Sequence, residues 1–270
     1  MGRLDKALER IKHEEPARIG AGSAGPNTKR LFAKFGAVED PIAGNLIQAK
    51  MHPDVMYRNH VITSKIDPVI QTAYKMLRTR ILQRMRANMW QTIAVTSAAQ
   101  GDGKSISSLN LAISLAGDVN HNVCLVDLDL RHSSVANYLG LKPKHGISDC
   151  LERQVPVEEV LIRTDIDRLV VLPNVRTVTH SSELISSPKM HEIAAKLASD
   201  PARIVVYDMP PLLAADDMLA FEPIVDSILL VVAEGTTRRT DTMKAFELLE
   251  SSNVIGTVLN RSDERTAAYY

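Results

Sequence analysis

From Ser97 to Ser105 the chain reads SAAQGDGKS, directly after the apolar run TIAVT. Glycines, a lysine and a serine at this spacing are a means of holding a polyphosphate. Gly101 and Gly103 let the backbone bend and bring its N–H groups close to phosphate oxygens. Lys104 can reach the β- and γ-phosphates, and the Ser105 hydroxyl can ligate magnesium. A helix starting near Lys104 adds its positive N-terminal end. The nucleotide-binding set is therefore Gly101, Asp102, Gly103, Lys104, Ser105 and Ile106. One position departs from the pattern GxxxxGK[ST]: Ala98 stands where its first glycine belongs. The competing plain reading is a glycine-rich turn with an incidental lysine.

Two acidic sites supply what phosphate chemistry still needs. In CLVDLDLR, Asp127 and Asp129 are two apart on an expected strand, so both side chains point to one side. Burying two like charges together is costly unless a cation or a proton lies between them. In RIVVYDMPP, Asp208 closes an apolar strand before Pro210 and Pro211 stop it, a usual place for a carboxylate that holds magnesium. The ordinary alternative for the Asp127/Asp129 pair is to cap the following helix.

These groups need strands that end side by side. Six short runs, TIAVT, NVCLVDLD, RLVVLP, RIVVYD, SILLVVA and VIGTVLN, are apolar on both faces, as strands covered by helices on both sides must be. Helical patterns such as SISSLNLAISLAG and TDTMKAFELLESS lie between them. The alternation predicts an α/β fold with a doubly wound, mainly parallel sheet. A helix is expected after Pro68, with Ile70, Tyr74, Leu77, Ile81 and Met85 on its apolar face and a run of basic residues from Lys75 to Arg86 largely off it.

Residues 1–60 read differently. LDKALERIKHEE is amphipathic, a frayed solvated helix or a docking helix, and PARIGAGSAGPNTKR has the composition of a linker. The expected division is an N-terminal helix and linker over 1–60, a P-loop domain over 61–264 and a short tail over 265–270. The formal charge is zero, with 32 basic and 32 acidic residues, which argues against a general nucleic-acid coat. Cys124 and Cys150 form no CxxC pair, and no apolar stretch approaches the length of a membrane span, so a cytoplasmic protein with reduced thiols is expected.

The three motifs in order, TSAAQGDGKSISSLNLAISLA, VCLVDLDLRHSSVANYLGL and IVVYDMPPLL, with a closing IGTVLN, resemble the bacterial tyrosine kinases of exopolysaccharide and capsule synthesis. The nearest likeness is to the autokinases encoded with exosortase-type systems. The resemblance covers about residues 68–262 and implies a P-loop NTPase of the partition-ATPase-like (SIMIBI) class, with Walker A, A′ and B motifs. It implies that Lys104 and Ser105 bind ATP and Mg²⁺. Asp127 and Asp129 would serve the acceptor hydroxyl and the metal, with Asp127 favoured as the base, and Asp208 would hold the metal from the other side. Asn260 lies where relatives recognise adenine, although it is equally a strand-end turn residue. Tyr269 and Tyr270 stand where relatives carry the tyrosines that a neighbouring subunit phosphorylates. The implied partners are further copies of the chain, a separate membrane-embedded polysaccharide co-polymerase that recruits it to the inner face of the membrane, and a tyrosine phosphatase.

Several positions depart from that family. Gln100 replaces a usual proline, and Thr72, Lys75 and Arg78 stand where many relatives have the ring-closing E-x2-R-x2-R helix, so only the last is kept. The tail holds two tyrosines where relatives have a longer cluster. Two other functions stay open on the sequence. One is an ATP-dependent switch of the partition or cell-division type, against which Ala99 stands, because such proteins carry a further lysine there. The other is a nucleotide-binding scaffold with weak kinase activity.

Overall fold

The computed structural model describes residues 46–262. The amphipathic segment LDKALERI, the linker and both tail tyrosines lie outside them. Eight strands form one sheet: β1 (Ile47–Gln48), β2 (Thr92–Ser97), β3 (Asn122–Asp127), β4 (Ile162–Arg163), β5 (Leu169–Leu172), β6 (Arg203–Asp208), β7 (Ser227–Ala233) and β8 (Val254–Asn260). Their order across the sheet is β1-β4-β5-β3-β6-β2-β7-β8. Every neighbouring pair is parallel except β4 with β5. The six apolar runs are β2, β3, β5, β6, β7 and β8, and the sheet is doubly wound as expected.

Alternate residues of a strand feed opposite faces. Ile93 and Val95 of β2 join the core under α2 (Pro68–Asn88) and α3 (Lys104–Ala116). Ala94, between them, joins the other core with Leu197 of α7 (Pro188–Leu197), Phe221 of α8 (Asp217–Phe221) and Ala245 of α9 (Arg239–Leu248). In α3 the fully buried Leu109, Leu111 and Leu115 fix the helix on the sheet, each side chain contributing roughly 2 kcal/mol of apolar burial.

The domain begins earlier than residue 61. Leu46, Met51 and Met56 are buried, β1 pairs with β4, and α1 (Pro53–Arg58) follows it. The His52 N–H donates to the Leu139 carbonyl at the end of α4 (Val135–Leu139), at 3.0 Å. A two-residue edge strand shows no period in the sequence.

Helix α2 starts where chemistry places it: the Asp67 carboxylate accepts the Val69 N–H at 2.8 Å, and Pro68 takes the first helical position. Its apolar face is used unevenly. Ile81, Leu82 and Met85 are buried, whereas Ile70 is 40% exposed, because the first half of the helix overhangs a cleft. Its basic residues are not all solvated. Arg78 donates to the Ser114 carbonyl at 2.9 Å and Arg84 to the Ile255 carbonyl, fastening the helix to α3 and β8. Arg78, the one kept position of the ring-closing pattern, thus braces its own domain. Cys124 in β3 and Cys150 in α5 (Ile147–Arg153) are buried, and neither forms a disulfide.

Candidate active site

Between the end of β2 and Lys104 the chain makes a loop that only glycine fits at two places. Gly101 and Gly103 both have φ +88°, in the left-handed region. At Gly103 a Cβ would also lie 2.0 Å from Asn260 Nδ2. No side chain caps the N-terminus of α3, so the N–H groups of its first turn face an anion site. Ala98, in place of the first motif glycine, is fully buried in the core, where its methyl group is accommodated.

Asp102 organises this loop, a role its place in the motif did not announce. Its Oδ2 accepts the Ala99 N–H at 3.0 Å and its Oδ1 the Thr237 hydroxyl at 2.7 Å. Its carbonyl accepts Asn260 Nδ2 at 2.9 Å, and Arg261 Nη2 donates to the Gly101 carbonyl at 2.7 Å. The ends of β7 and β8 therefore grip the loop that follows β2.

The acids converge beside it. Asp127 stands opposite Asp208 in the β3–β6 register, so these two strand ends lie level, and Asp208 stands opposite Val95 of β2, which runs on to Ser97. Lys104 Nζ is 2.7 Å from Asp129 Oδ2, 3.7 Å from Asp208 Oδ1 and 3.0 Å from Ser105 Oγ. Strand β3 stops at Asp127, so Asp129 lies beyond the strand and not on it as expected. It still faces Lys104, through a turn in which its Oδ1 accepts the His132 N–H at 2.9 Å.

Capping and site formation coexist. Asp127 Oδ2 accepts the N–H groups of Ser134 and Val135 at the start of α4, both at 3.1 Å. Its Oδ1 has no hydrogen-bond partner, and neither oxygen of Asp208 has one. Lys104 and the Ser105 and Ser108 hydroxyls answer Asp208 only in part and leave Asp127 Oδ1 unmet, and a divalent cation would meet the remaining need. Among the described residues no three His, Cys, Asp or Glu side chains form an ion site by themselves. That suits Mg²⁺, which is commonly bound by one or two carboxylates together with substrate phosphates.

Burial, and then the nearby Asp208, push the Asp127 carboxyl up to about 8, against the pull of Lys104. Burial likewise raises Asp208. Burial works against the Lys104 ammonium, but Asp208 and Asp129 outweigh it and hold the lysine protonated above its usual range.

The site opens into a cleft of about 1160 Å³. Gly101, Lys104, Ile106 and Asn260 line one side and Ile70 and Tyr74 of α2 another. Of the expected site residues, Gly101, Gly103, Lys104, Ser105, Ile106, Asp129 and Asn260 line this cleft, whereas Asp102, Asp127 and Asp208 do not and join the site through the contacts described above. Arg131, which the sequence marks only as the end of the DLDLR motif and without a role of its own, also lines it, as does Arg261, which no motif marks.

A family model, ParA, described as NUBPL iron-transfer P-loop NTPase, matches residues 88–266. The chain belongs to the ParA family of P-loop NTPases. Among relatives of this ParA-family chain, the tyrosine-protein kinase YwqD of Bacillus subtilis is 28% identical over 207 residues, 76% of this chain and 86% of that protein. The crystal structure of the chimerical protein CapA2B2 matches with a TM-score of 0.69 and 25% identity, over 80% of this chain and 93% of that one. The cell-division ATPase MinD of Pyrococcus furiosus matches less completely, with a TM-score of 0.53 and 28% identity over 64% of this chain and 74% of that one. The kinase resemblance carried by the motifs is the one the curated relatives bear in their names.

Proposed function

We propose that this ParA-family chain is an ATP-dependent protein-tyrosine kinase that phosphorylates Tyr269 and Tyr270 of a neighbouring copy and so regulates exopolysaccharide or capsule polymerisation and export. The observation that carries the reading is the Asp127–Asp208 pair beside Lys104: a buried base candidate with one free oxygen, next to a bare carboxylate fit for a metal. The loop N–H groups and Lys104 hold the β- and γ-phosphates, and Lys104 offsets charge that grows during transfer. Ser105, Asp129 and Asp208 would hold Mg²⁺, which when bound neutralises and orients the phosphates. Asp127, fixed through its Oδ2, presents Oδ1 to the tyrosine hydroxyl, whose ordinary pKa is about 10. The tyrosine proton passes to Asp127 Oδ1, the tyrosine oxygen bonds to the γ-phosphorus, and the bond from that phosphorus to the bridging oxygen breaks as ADP leaves. With one Nδ2 hydrogen of Asn260 given to the Asp102 carbonyl, its Oδ1 is the acceptor that can take a hydrogen bond from the adenine amino group.

In this reading the P-loop domain extends to about residue 264, and residues 265–270 are the acceptor tail. The partners are further copies of the chain, a membrane-embedded co-polymerase that brings it to the cytoplasmic face of the membrane, and a tyrosine phosphatase. Among the described residues no helix is long and apolar enough to cross a membrane. Iron transfer, which the family description names, finds no thiols here: Cys124 and Cys150 are buried, and neither lines the cleft.

Incubation with ATP and Mg²⁺, followed by phosphotyrosine detection, tests the proposal. Label is expected on the wild type, and its absence is expected from Lys104→Met and from the Tyr269→Phe/Tyr270→Phe double variant. Phosphate release without tyrosine labelling would instead favour the partner-switching ATPase that the likeness to MinD keeps in view.

A further inference from the structure

The turn that carries Asp129 is tied down along its length. The Leu128 N–H donates to the Asp208 carbonyl at 2.9 Å, and the Leu130 carbonyl accepts the Val178 N–H at 2.9 Å. Arg131 then reaches away from the turn. Its Nε donates to Ser181 Oγ at 2.9 Å, at the start of α6 (Ser181–Ile185), and its Nη2 lies 3.6 Å from Asp217 Oδ2.

Asp217 is completely buried, at the first position of α8. A carboxylate removed from water is costly unless a cation or hydrogen bonds answer it, and Arg131 is the cation that does so. The arginine side chain is 35% exposed and forms part of the cleft wall, two residues from Asp129. The pair thus links a buried anchor on the β6 side of the fold to the turn that sets Asp129 against Lys104.

We propose that Arg131 is a positioning residue for phosphoryl transfer: held by Asp217 and Ser181, it fixes the 128–131 turn and with it the placement of Asp129. The proposal deepens the kinase reading and rests on it. Because Arg131 acts through geometry, its loss should slow the chemical step more than it weakens nucleotide binding, which the glycine loop provides separately.

The test measures kcat for tyrosine phosphorylation, the affinity for ADP without Mg²⁺ by calorimetry, and the melting temperature. Arg131→Ala is expected to lower kcat by roughly ten- to a hundredfold with the metal-free ADP affinity within about twofold. Arg131→Lys, which can still face Asp217 but cannot hold Ser181 as well, should recover part of the loss. In an Asp129→Asn background, Arg131→Ala should cost little more, because the arginine acts through that side chain. Ser181→Ala and Asp217→Asn should lower kcat less than Arg131→Ala. If Asp217→Asn does not fold, Arg131→Lys and Ser181→Ala, which remove no charge, carry the test. An unchanged kcat in Arg131→Ala, a matching fall in ADP affinity, or full additivity with Asp129→Asn overturns the proposal. A wild type that never labels tyrosine sinks both readings; a labelling wild type with an unaffected Arg131→Ala sinks this one alone.

Discussion

The carboxyl ends of β3 and β6 lie side by side, with Asp127 opposite Asp208, yet the fold treats the two acids differently. Asp127 is held by two N–H groups at the start of α4, so one oxygen is fixed and the direction of the other follows. Asp208 has no backbone N–H to cap it and is answered by Lys104 at 3.7 Å and by the nearby Ser105 and Ser108 hydroxyls. The first arrangement suits a group that must keep its orientation while a bond is made. The second suits a ligand whose partner arrives from solution, and until then it is a source of instability. Adjacent strands of one sheet can thus prepare a carboxylate for opposite tasks, depending on whether the next helix caps it.

Removing the cation both acids share should have the largest effect. Lys104→Met is expected to reduce tyrosine phosphorylation by about a thousandfold or more, measured as initial rates of phosphotyrosine formation. Replacing each acid by its amide then separates the two. Asp208→Asn should weaken Mg²⁺-dependent ADP binding by roughly ten- to a hundredfold while leaving the nucleotide-free protein no less heat-stable, since it removes a buried, bare charge. Asp127→Asn keeps an oxygen for the cap, so ADP affinity should stay within about twofold while kcat falls by about a hundredfold or more. Equal losses of affinity in the two variants would erase the contrast.

The pH dependence sharpens it further. In the free protein the Asp127 carboxyl is raised to about 8, far above its unfolded value of about 3.9. Between those limits the folded chain holds a proton that the unfolded chain has released. This contribution to stability is full below about pH 4 and is lost as the pH rises towards 8, and Asp208 acts in the same direction. Thermal melts across that window should show a shallower decline in Asp127→Asn. Binding of ADP with Mg²⁺ at pH 7 should release protons, read by calorimetry in two buffers of different ionisation enthalpy. The smallest change is expected from Asn260→Ala. It removes one hydrogen bond to the loop and should weaken ADP binding about fivefold, for a contribution near 1 kcal/mol.

The long strands and the phosphate loop were legible because each has a pattern that physics enforces: runs apolar on both faces, and glycines where φ is positive. What escaped has no such pattern. β1 and β4 have two residues each, too few for any period. Asp129 was placed on a strand because alternation extends formally past Asp127, but the ladder ends there because β6 itself ends at Asp208. The amphipathic period of α2 marked Ile70 as apolar-facing without telling that it faces a cleft. Asp102 occupies a position that the motif leaves unspecified, and its inward bonds depend on Thr237 from a distant loop. Arg131 and Asp217 meet only after the sheet brings the ends of β3 and β6 together.

The grip on the phosphate loop has a kinetic consequence. Thr237 holds the Asp102 side chain, Asn260 its carbonyl and Arg261 the carbonyl of Gly101, so the backbone that meets a nucleotide is frozen before one arrives. Little conformational entropy is left to lose on entry. Association should then be quick and single-phased in stopped-flow traces, and the difference between a retained and a rejected nucleotide should lie in how slowly each departs.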